Sequence, residues 1–285
     1  MEPLVKVHCL KHTYPDRTQV NLCGLDFVVH EGQRAVVLGS NGAGKTTLLS
    51  HILGLLSPTE GTVEVMGMRP DKNFSEIRKK IGVVFQNVDE QIIGPRVYDD
   101  IAFTLRNERL PRDEIEQRVH LVAEKLGIEN LLEKIPHYLS GGQKKKVGLA
   151  GAIVRLPKLL IMDEPFDFLD PKSKYEMVDL LNHLNREHGI TMILTTHNIN
   201  LVPSIADIIY VISDGKIINR GTPEEVFCHL EAIKMANIEP PLLTELFLHL
   251  RKRGYNVKMP WTMGEAVDEL LALLNQEKKL EEECS

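Results

Sequence analysis

The chain has no long apolar run. Its longest stretch free of formal charge, residues 189–206, carries His197, Asn198, Asn200 and Pro203, too polar and too broken for a bilayer interior. Nor are basic residues in excess: 34 Lys and Arg against 40 Asp and Glu give a net charge of −6, whereas non-specific nucleic-acid binding needs a positive surface. Cysteine is scarce. Cys9, Cys23, Cys228 and Cys284 follow neither metal-ligand nor disulfide-framework spacing, which fits a reducing cytosol. The opening Met1-Glu2-Pro3-Leu4-Val5-Lys6 lacks the basic and apolar regions of a signal peptide. No internal repeat and no heptad run is present. What remains is 285 residues, 43% hydrophobic and 26% charged: one large folded domain with room for a small appendage.

Against that background one motif stands out. Gly39-Ser40-Asn41-Gly42-Ala43-Gly44-Lys45-Thr46 fits the Gly-x4-Gly-Lys-Thr pattern of a phosphate cradle. Ala35 to Leu38 before it suits a buried strand, and Thr47 onward to Leu55 suits a helix. Glycines allow backbone N–H groups to turn inward on a phosphate, and the helix N-terminus adds a favourable dipole. Lys45 can reach the terminal phosphates, and the Thr46 hydroxyl can sit on Mg²⁺.

Three further apolar segments end in polar groups. Ile81 to Phe85 leads to Gln86, Leu159 to Met162 leads to Asp163 and Glu164, and Thr191 to Thr196 leads to His197. Neighbours on a strand point to opposite sides, so Asp163 and Glu164 take different tasks. Asp163 is placed to hold Mg²⁺ with Thr46, and Glu164 is the candidate general base for water attacking a γ-phosphate. Leu139-Ser140-Gly141-Gly142-Gln143 opens a helix whose free N–H groups and hydroxyl offer a second phosphate site. Taken singly, these are also what a solvated strand end, a loop histidine, a surface amide or an ordinary cap looks like.

Together and in this order they resemble the ATP-binding-cassette (ABC) ATPases over roughly residues 4 to 222. The resemblance implies an α/β P-loop fold: a RecA-like core, an antiparallel β subdomain and a helical signature subdomain at about 87–155. It assigns Walker A to Gly39–Thr46, the signature to Leu139–Gln143, Walker B to Leu159–Glu164 and the D-loop to Leu169-Asp170. Gln86 becomes the Q-loop glutamine, completing the Mg²⁺ and water shell, and His197 the switch histidine. Tyr14 matches an aromatic that stacks on adenine. In the family two subunits face head to tail, and Ser140, Gly141, Gly142 and Gln143 of one close over ATP bound at the other's cradle, Thr47 included. Two departures stand beside the match. Phe166-Asp167-Phe168 replaces a commoner Thr or Ser and a small third residue. Lys144 to Lys146 differs from the usual single-arginine pattern and reads as a solvated helix face.

Val83 to Ile93 is similar to the extended glutamine-loop segment of energy-coupling-factor (ECF) ATPases and the related cobalt and nickel importers. The usual form has Pro at position 88 and Asp at position 90, where this chain has Val88 and Glu90. Pro240-Pro241 through Arg251-Lys252-Arg253-Gly254 to Thr262 and Glu265 resembles that group's C-terminal appendage, here set at 223–285, which mostly helps two ATPase subunits associate. Thr222-Pro223-Glu224-Glu225 and Thr262-Met263-Gly264-Glu265 read as capping boxes. Ala266, Val267, Leu270, Leu271 and Leu274 would share one face of the last helix, with a polar tail from Gln276. Residues 156–222 read as apolar strands, ending in a hairpin about Asp214-Gly215. The expectation is a peripheral ATPase on the cytoplasmic membrane face. Its partners would be a second ATPase subunit and transmembrane chains, not nucleic acid, and Ile92 and Ile93 would line the transmembrane docking groove. The alternatives are a soluble ABC protein of DNA repair or translation, and an exporter ATPase.

Overall fold

The computed structural model describes residues 3–228 and 230–283. Cys284 and Ser285 lie outside the described residues, as do Met1 and Glu2. The strands, in chain order, are β1 (Pro3–Thr13), β2 (Gln19–Gly24), β3 (Phe27–His30), β4 (Arg34–Leu38), β5 (Glu60–Val65), β6 (Ile81–Val84), β7 (Leu159–Asp163), β8 (Thr191–Thr195), β9 (Ile208–Ser213) and β10 (Lys216–Gly221). The helices are α1 (Lys45–Ile52), α2 (Phe74–Ile77), α3 (Val97–Asn107), α4 (Arg112–Leu126), α5 (Gly141–Ile153), α6 (Pro171–His188), α7 (Pro223–Cys228), α8 (Leu230–Met235), α9 (Leu242–Lys252) and α10 (Met263–Glu283).

The strands form one sheet in the order β3-β1-β2-β10-β9-β4-β8-β7-β6, with β5 also paired to β1. Its centre, β9-β4-β8-β7-β6, is parallel. Every residue of β7 and of β8 is buried, which is why both read as continuous apolar runs. Period-two alternation divides these strands between two cores. Val36, Leu160, Met162, Met192 and Leu194 face the layer holding α3 to α6. Ala35, Val37, Leu159, Ile161 and Ile193 face α1 and the antiparallel strands β1, β2, β3 and β5. The parallel strands therefore deliver their C-terminal ends, where ligands bind in open α/β sheets, to one edge.

Local chemistry fixes the turns and caps. Asp214 (φ 47°) and Gly215 (φ 71°) both have positive φ, the requirement of a tight hairpin between β9 and β10. Thr222 and Glu225 exchange reciprocal cap bonds at α7, as do Thr262 and Glu265 at α10. In the C-terminal segment Phe247, Val257, Met259 and Ala266 make a small separate core.

Several expectations need correction. The region 156–222 is not strands alone, because the 18-residue α6 lies inside it. Its apolar positions Met177, Val178, Leu181 and Leu184 follow helical spacing and are buried. The anticipated face of α10 splits. Ala266, Leu270 and Leu273 pack inward, while Val267, Leu271 and Leu274 are half exposed, because at 3.6 residues per turn these sets lie on adjacent stripes. The tail from Gln276 continues as helix to Glu283. The four cysteines are not all free: Cys9 and Cys23 form a disulfide. The β1–β2 register, Leu10 opposite Leu22, sets Cys9 beside Cys23, and hairpin pairing does not announce itself in cysteine spacing. Cys228 is free.

The lysine run is also not a solvated face. Lys145 is 3% exposed, Lys144 is paired with Asp89 at 2.6 Å, and Lys146 with Glu176 at 3.6 Å. Residues 144 to 146 occupy successive 100° steps around α5, so one of the three must point toward the sheet.

Candidate active site

The cradle sits where β4 ends and α1 begins. Gly44 adopts φ 103° as the cap of α1, and a Cβ there would come within 2.9 Å of Val20 Cγ1. Only glycine meets both conditions without strain. Lys45 is 7% exposed, and its Nζ donates to the Gly39 carbonyl at 2.8 Å and the Ser40 carbonyl at 3.2 Å. A buried ammonium held by loop carbonyls is a charge matched to a phosphate. Gly42, Gly44, Lys45, Thr46 and Thr47 line a cavity of about 370 Å³ with Tyr14, Asn41, Gln86, Asp163 and Glu164. Most of the anticipated residues from the first half of the chain thus meet Asp163 and Glu164 at the end of β7, while Gly39 and Ser40 contribute the carbonyls that hold Lys45. Ala43 is buried behind the loop, packed into the core with Leu48. Tyr14 stands at the rim, its hydroxyl 2.8 Å from Thr47 Oγ1 and its ring edge-on to His12.

Thr46 Oγ1 donates to Asp163 Oδ2 at 3.0 Å. The other Asp163 oxygen accepts from Thr195 Oγ1, which in turn accepts from the Glu164 amide at 3.0 Å. This all-oxygen donor set suits a hard divalent cation. Glu164, 4% exposed, adopts φ 45°, a conformation that non-glycine residues keep mostly where surroundings impose it. Burial pushes its carboxyl pKa upward, opposed by His197 and Lys45. His197 donates its backbone N–H to Glu164 Oε2 at 3.0 Å, and its Nδ1 lies 3.1 Å from the same oxygen. Lys45 Nζ is 3.9 Å from Glu164 Oε1. A buried carboxylate with raised proton affinity, beside a phosphate cradle, is equipped to accept a proton from water.

The signature lies elsewhere. Ser140 caps α5 with a reciprocal capping box: its Oγ accepts from the Gln143 amide at 3.3 Å, and Gln143 Oε1 accepts from the Ser140 amide at 3.0 Å. The N–H groups of Gly141 and Gly142 have no acceptor inside the helix. They line a second cavity of about 370 Å³ with Ser140, Gln143, Lys146, Phe168 and Asp170. No residue lines both cavities. Asp170 caps α6, accepting from Ser173 N at 3.1 Å. Phe168 is 80% exposed at φ 63°.

Three participants escaped the sequence reading: Thr195, Asp167 and Lys145. Thr195 could have been found as the hydroxyl closing an apolar strand beside β7. Nothing local marked the other two: Lys145 is buried where α5 packs on the sheet, and Asp167 meets Gln86 and His197 from distant segments.

The family model for ABC transporters matches residues 22–167. The chain belongs to the ABC transporter family. It is 43% identical to the energy-coupling factor transporter ATP-binding protein EcfA of Methanocaldococcus jannaschii, covering 92% of this chain and 95% of that one. The EcfA of Methanosphaera stadtmanae is 41% identical, over 96% of this chain and all of its own length. Among solved structures, cbiO1 of Clostridium perfringens, part of the ABC transporter complex cbiONQ, superimposes with a TM-score of 0.75 and 38% identity. That match covers 87% of this chain and 99% of that one. This ABC protein therefore has the ABC-type P-loop fold, binds ATP, and is an ATPase of the transporter class.

Proposed function

We propose that this ABC ATPase powers a membrane importer as a head-to-tail pair, with Mg²⁺ as its metal and a metal ion such as cobalt or nickel, or a vitamin, as cargo. One observation carries the reading. Each chain has two phosphate-binding helix starts that share no lining residue, so each is half of a site that a second ATPase subunit completes. Similarity to EcfA along nearly the whole chain favours the importer class over a soluble ABC protein or an exporter ATPase.

In this reading residues 1–222 are the ATP-binding unit, 87–155 its helical subdomain and 223–285 the association appendage. Tyr14 stacks on adenine, and Gly39 to Thr47 hold the phosphates through backbone N–H groups and Lys45. Mg²⁺, bound by Thr46, Asp163 and Gln86, supplies charge neutralisation on the phosphates. Glu164 takes the proton of the attacking water, and His197 holds that carboxylate in line. Ser140, Gly141, Gly142 and Gln143 of the second subunit cover the γ-phosphate, beside Asp170. Among the described residues no helix is long and apolar enough to cross a membrane. The subunit then works peripherally, at the cytoplasmic face, on transmembrane partners. Ile92 is partly buried against the core, whereas Ile93 is 65% exposed. The docking surface shifts accordingly to Ile93 and a groove of about 960 Å³ holding Arg78, Phe103, Asn107 and Arg155.

Recovery of the tagged protein from membranes, together with uptake assays for cobalt, nickel and vitamins in cells lacking it, tests the reading. Loss of uptake on deletion supports an importer. Normal uptake of all of them, with the protein never on membranes, contradicts it.

A further inference from the structure

Among the described residues, Glu164, Asp167 and His197 are the one trio of His, Cys, Asp or Glu whose donor atoms converge within 4.8 Å. Two of the three already have tasks. Asp167 has none, yet it is buried to 11% side-chain exposure and sits between two groups that do. Its Oδ2 accepts from Gln86 Nε2 at 3.2 Å, and its Oδ1 faces His197 Nε2 at 3.6 Å. The His197 ring therefore has a carboxylate at each nitrogen, Glu164 on one side and Asp167 on the other.

An ionised carboxylate can only accept hydrogen bonds, so Asp167 chooses which end of the Gln86 amide it holds. It takes the NH₂ group and leaves the carbonyl oxygen as the free end of a side chain that lines the cavity with Thr46, Asp163 and Glu164. An oxygen is what a hard cation or an attacking water needs there; the opposite amide orientation would present N–H donors. The backbone of the same glutamine is held from the other direction. Buried Lys145, reaching in from α5, donates to the Gln86 carbonyl at 2.8 Å, and to those of Phe85 and Glu164 at 3.3 Å each. Burial lowers the proton affinity of Lys145, and the nearby Asp167, Asp163 and Glu164 charges counter that effect. One cation and one anion thus fix the ends of Gln86 to the turn that carries Glu164.

We propose that Asp167 and Lys145 are positioning residues for hydrolysis. Asp167 sets the amide orientation of Gln86 and the ring of His197, and Lys145 ties the Gln86 backbone to that of Glu164. The inference rests on the reading that Gln86, Glu164 and His197 form the hydrolytic set. Misplacement on the order of 1 Å in such a set costs roughly 100-fold in rate.

The test is steady-state ATP hydrolysis by the full chain, with equilibrium ATP binding and hydrogen exchange of the nucleotide-free protein. Asp167→Ala is expected to lower kcat by about 10- to 100-fold with KM for ATP little changed. Asp167→Asn, whose amide oxygen still accepts from Gln86, restores much of the loss. Because Asp167 acts largely through Gln86, Gln86→Ala with Asp167→Ala is expected to be scarcely slower than Gln86→Ala alone. In the nucleotide-free protein, Asp167→Ala and Lys145→Met are each expected to speed exchange in peptides spanning residues 84–93. Fully multiplicative losses in the double variant, or no change in exchange, overturn the proposal. So does wild-type turnover by Asp167→Ala while Glu164→Gln is inactive. Turnover by Glu164→Gln at the wild-type rate instead overturns the underlying hydrolytic assignment.

Discussion

The burial of Glu164 has two opposed consequences under the proposed mechanism. Its burial equips it as a base and also makes its ionised form costly in the folded protein. Glu164→Gln is expected to keep ATP binding and lose about 10²- to 10⁴-fold in kcat, because an amide cannot take the proton of water. The same change is expected to raise stability at neutral pH. A carboxyl whose folded pKa lies above its unfolded value favours folding most when protonated, and that contribution is lost as pH rises from the unfolded to the folded pKa. The gain in Tm for Glu164→Gln, about 2–4 °C per kcal/mol for a chain of this class, should therefore be largest above the raised pKa. It should vanish below the ordinary carboxylate range. Thermal melts from acid to neutral pH check this; a constant offset at all pH values would contradict it. Lys45→Ala is expected to raise the Kd for ATP by about 10- to 100-fold, measured by titration, because a charge-assisted bond to phosphate is lost. The cradle, Asp163, Glu164 and His197 were legible because each closes or follows an apolar run. Asp167 and Lys145 were not, since a carboxylate in a loop and a lysine in a lysine run carry no local sign of burial.

Elements were legible to the extent that their periodicity stood alone. The β9–β10 hairpin, the caps of α5, α7 and α10, and the strand–loop–helix of the cradle all follow from local chemistry. The divided face of α10 and the Cys9–Cys23 pairing do not, because both depend on which neighbour an element meets. The disulfide closes the hairpin whose turn carries Tyr14, and a cross-link over a loop of that size contributes about 2–4 kcal/mol. Maleimide labelling of the unreduced folded protein, followed by peptide mass analysis, should leave Cys9 and Cys23 unmodified until a dithiol is added. Labelling of both without reductant would contradict the pairing. Phe103, 45% exposed, lines the groove, and Ile93 is exposed on the segment leading into α3. Changing both to Asp should preserve ATP affinity. It should weaken retention on membranes by at least about 30-fold, the cost of losing an interface anchor. Ile92→Asp should instead destabilise the subunit itself, since the partly buried Ile92 packs against the core.

At the scale of the whole molecule, the fold sets apart two helix starts proposed to bind anions, one at α1 and one at α5. Among the described residues none lines both cavities. The cradle presents Lys45 and the N–H groups of a tight loop, and the signature presents Ser140, Gly141 and Gly142 with Phe168 exposed beside them. Two chains related by a two-fold axis would close both sites at once with ATP between them, an isologous arrangement that needs no further component. In the proposed pair, hydrolysis would remove the anion that bridges the subunits and so connect Glu164 to the opening and closing of the pair. The measurement that tests this account most directly is light scattering of Glu164→Gln in saturating Mg-ATP, with and without Ser140→Arg. Glu164→Gln is expected to form a stable dimer, and a monomer once Ser140→Arg puts bulk and a cation at the second phosphate site. A dimer unaffected by Ser140→Arg, or no dimer even when ATP binds at full occupancy, would contradict it.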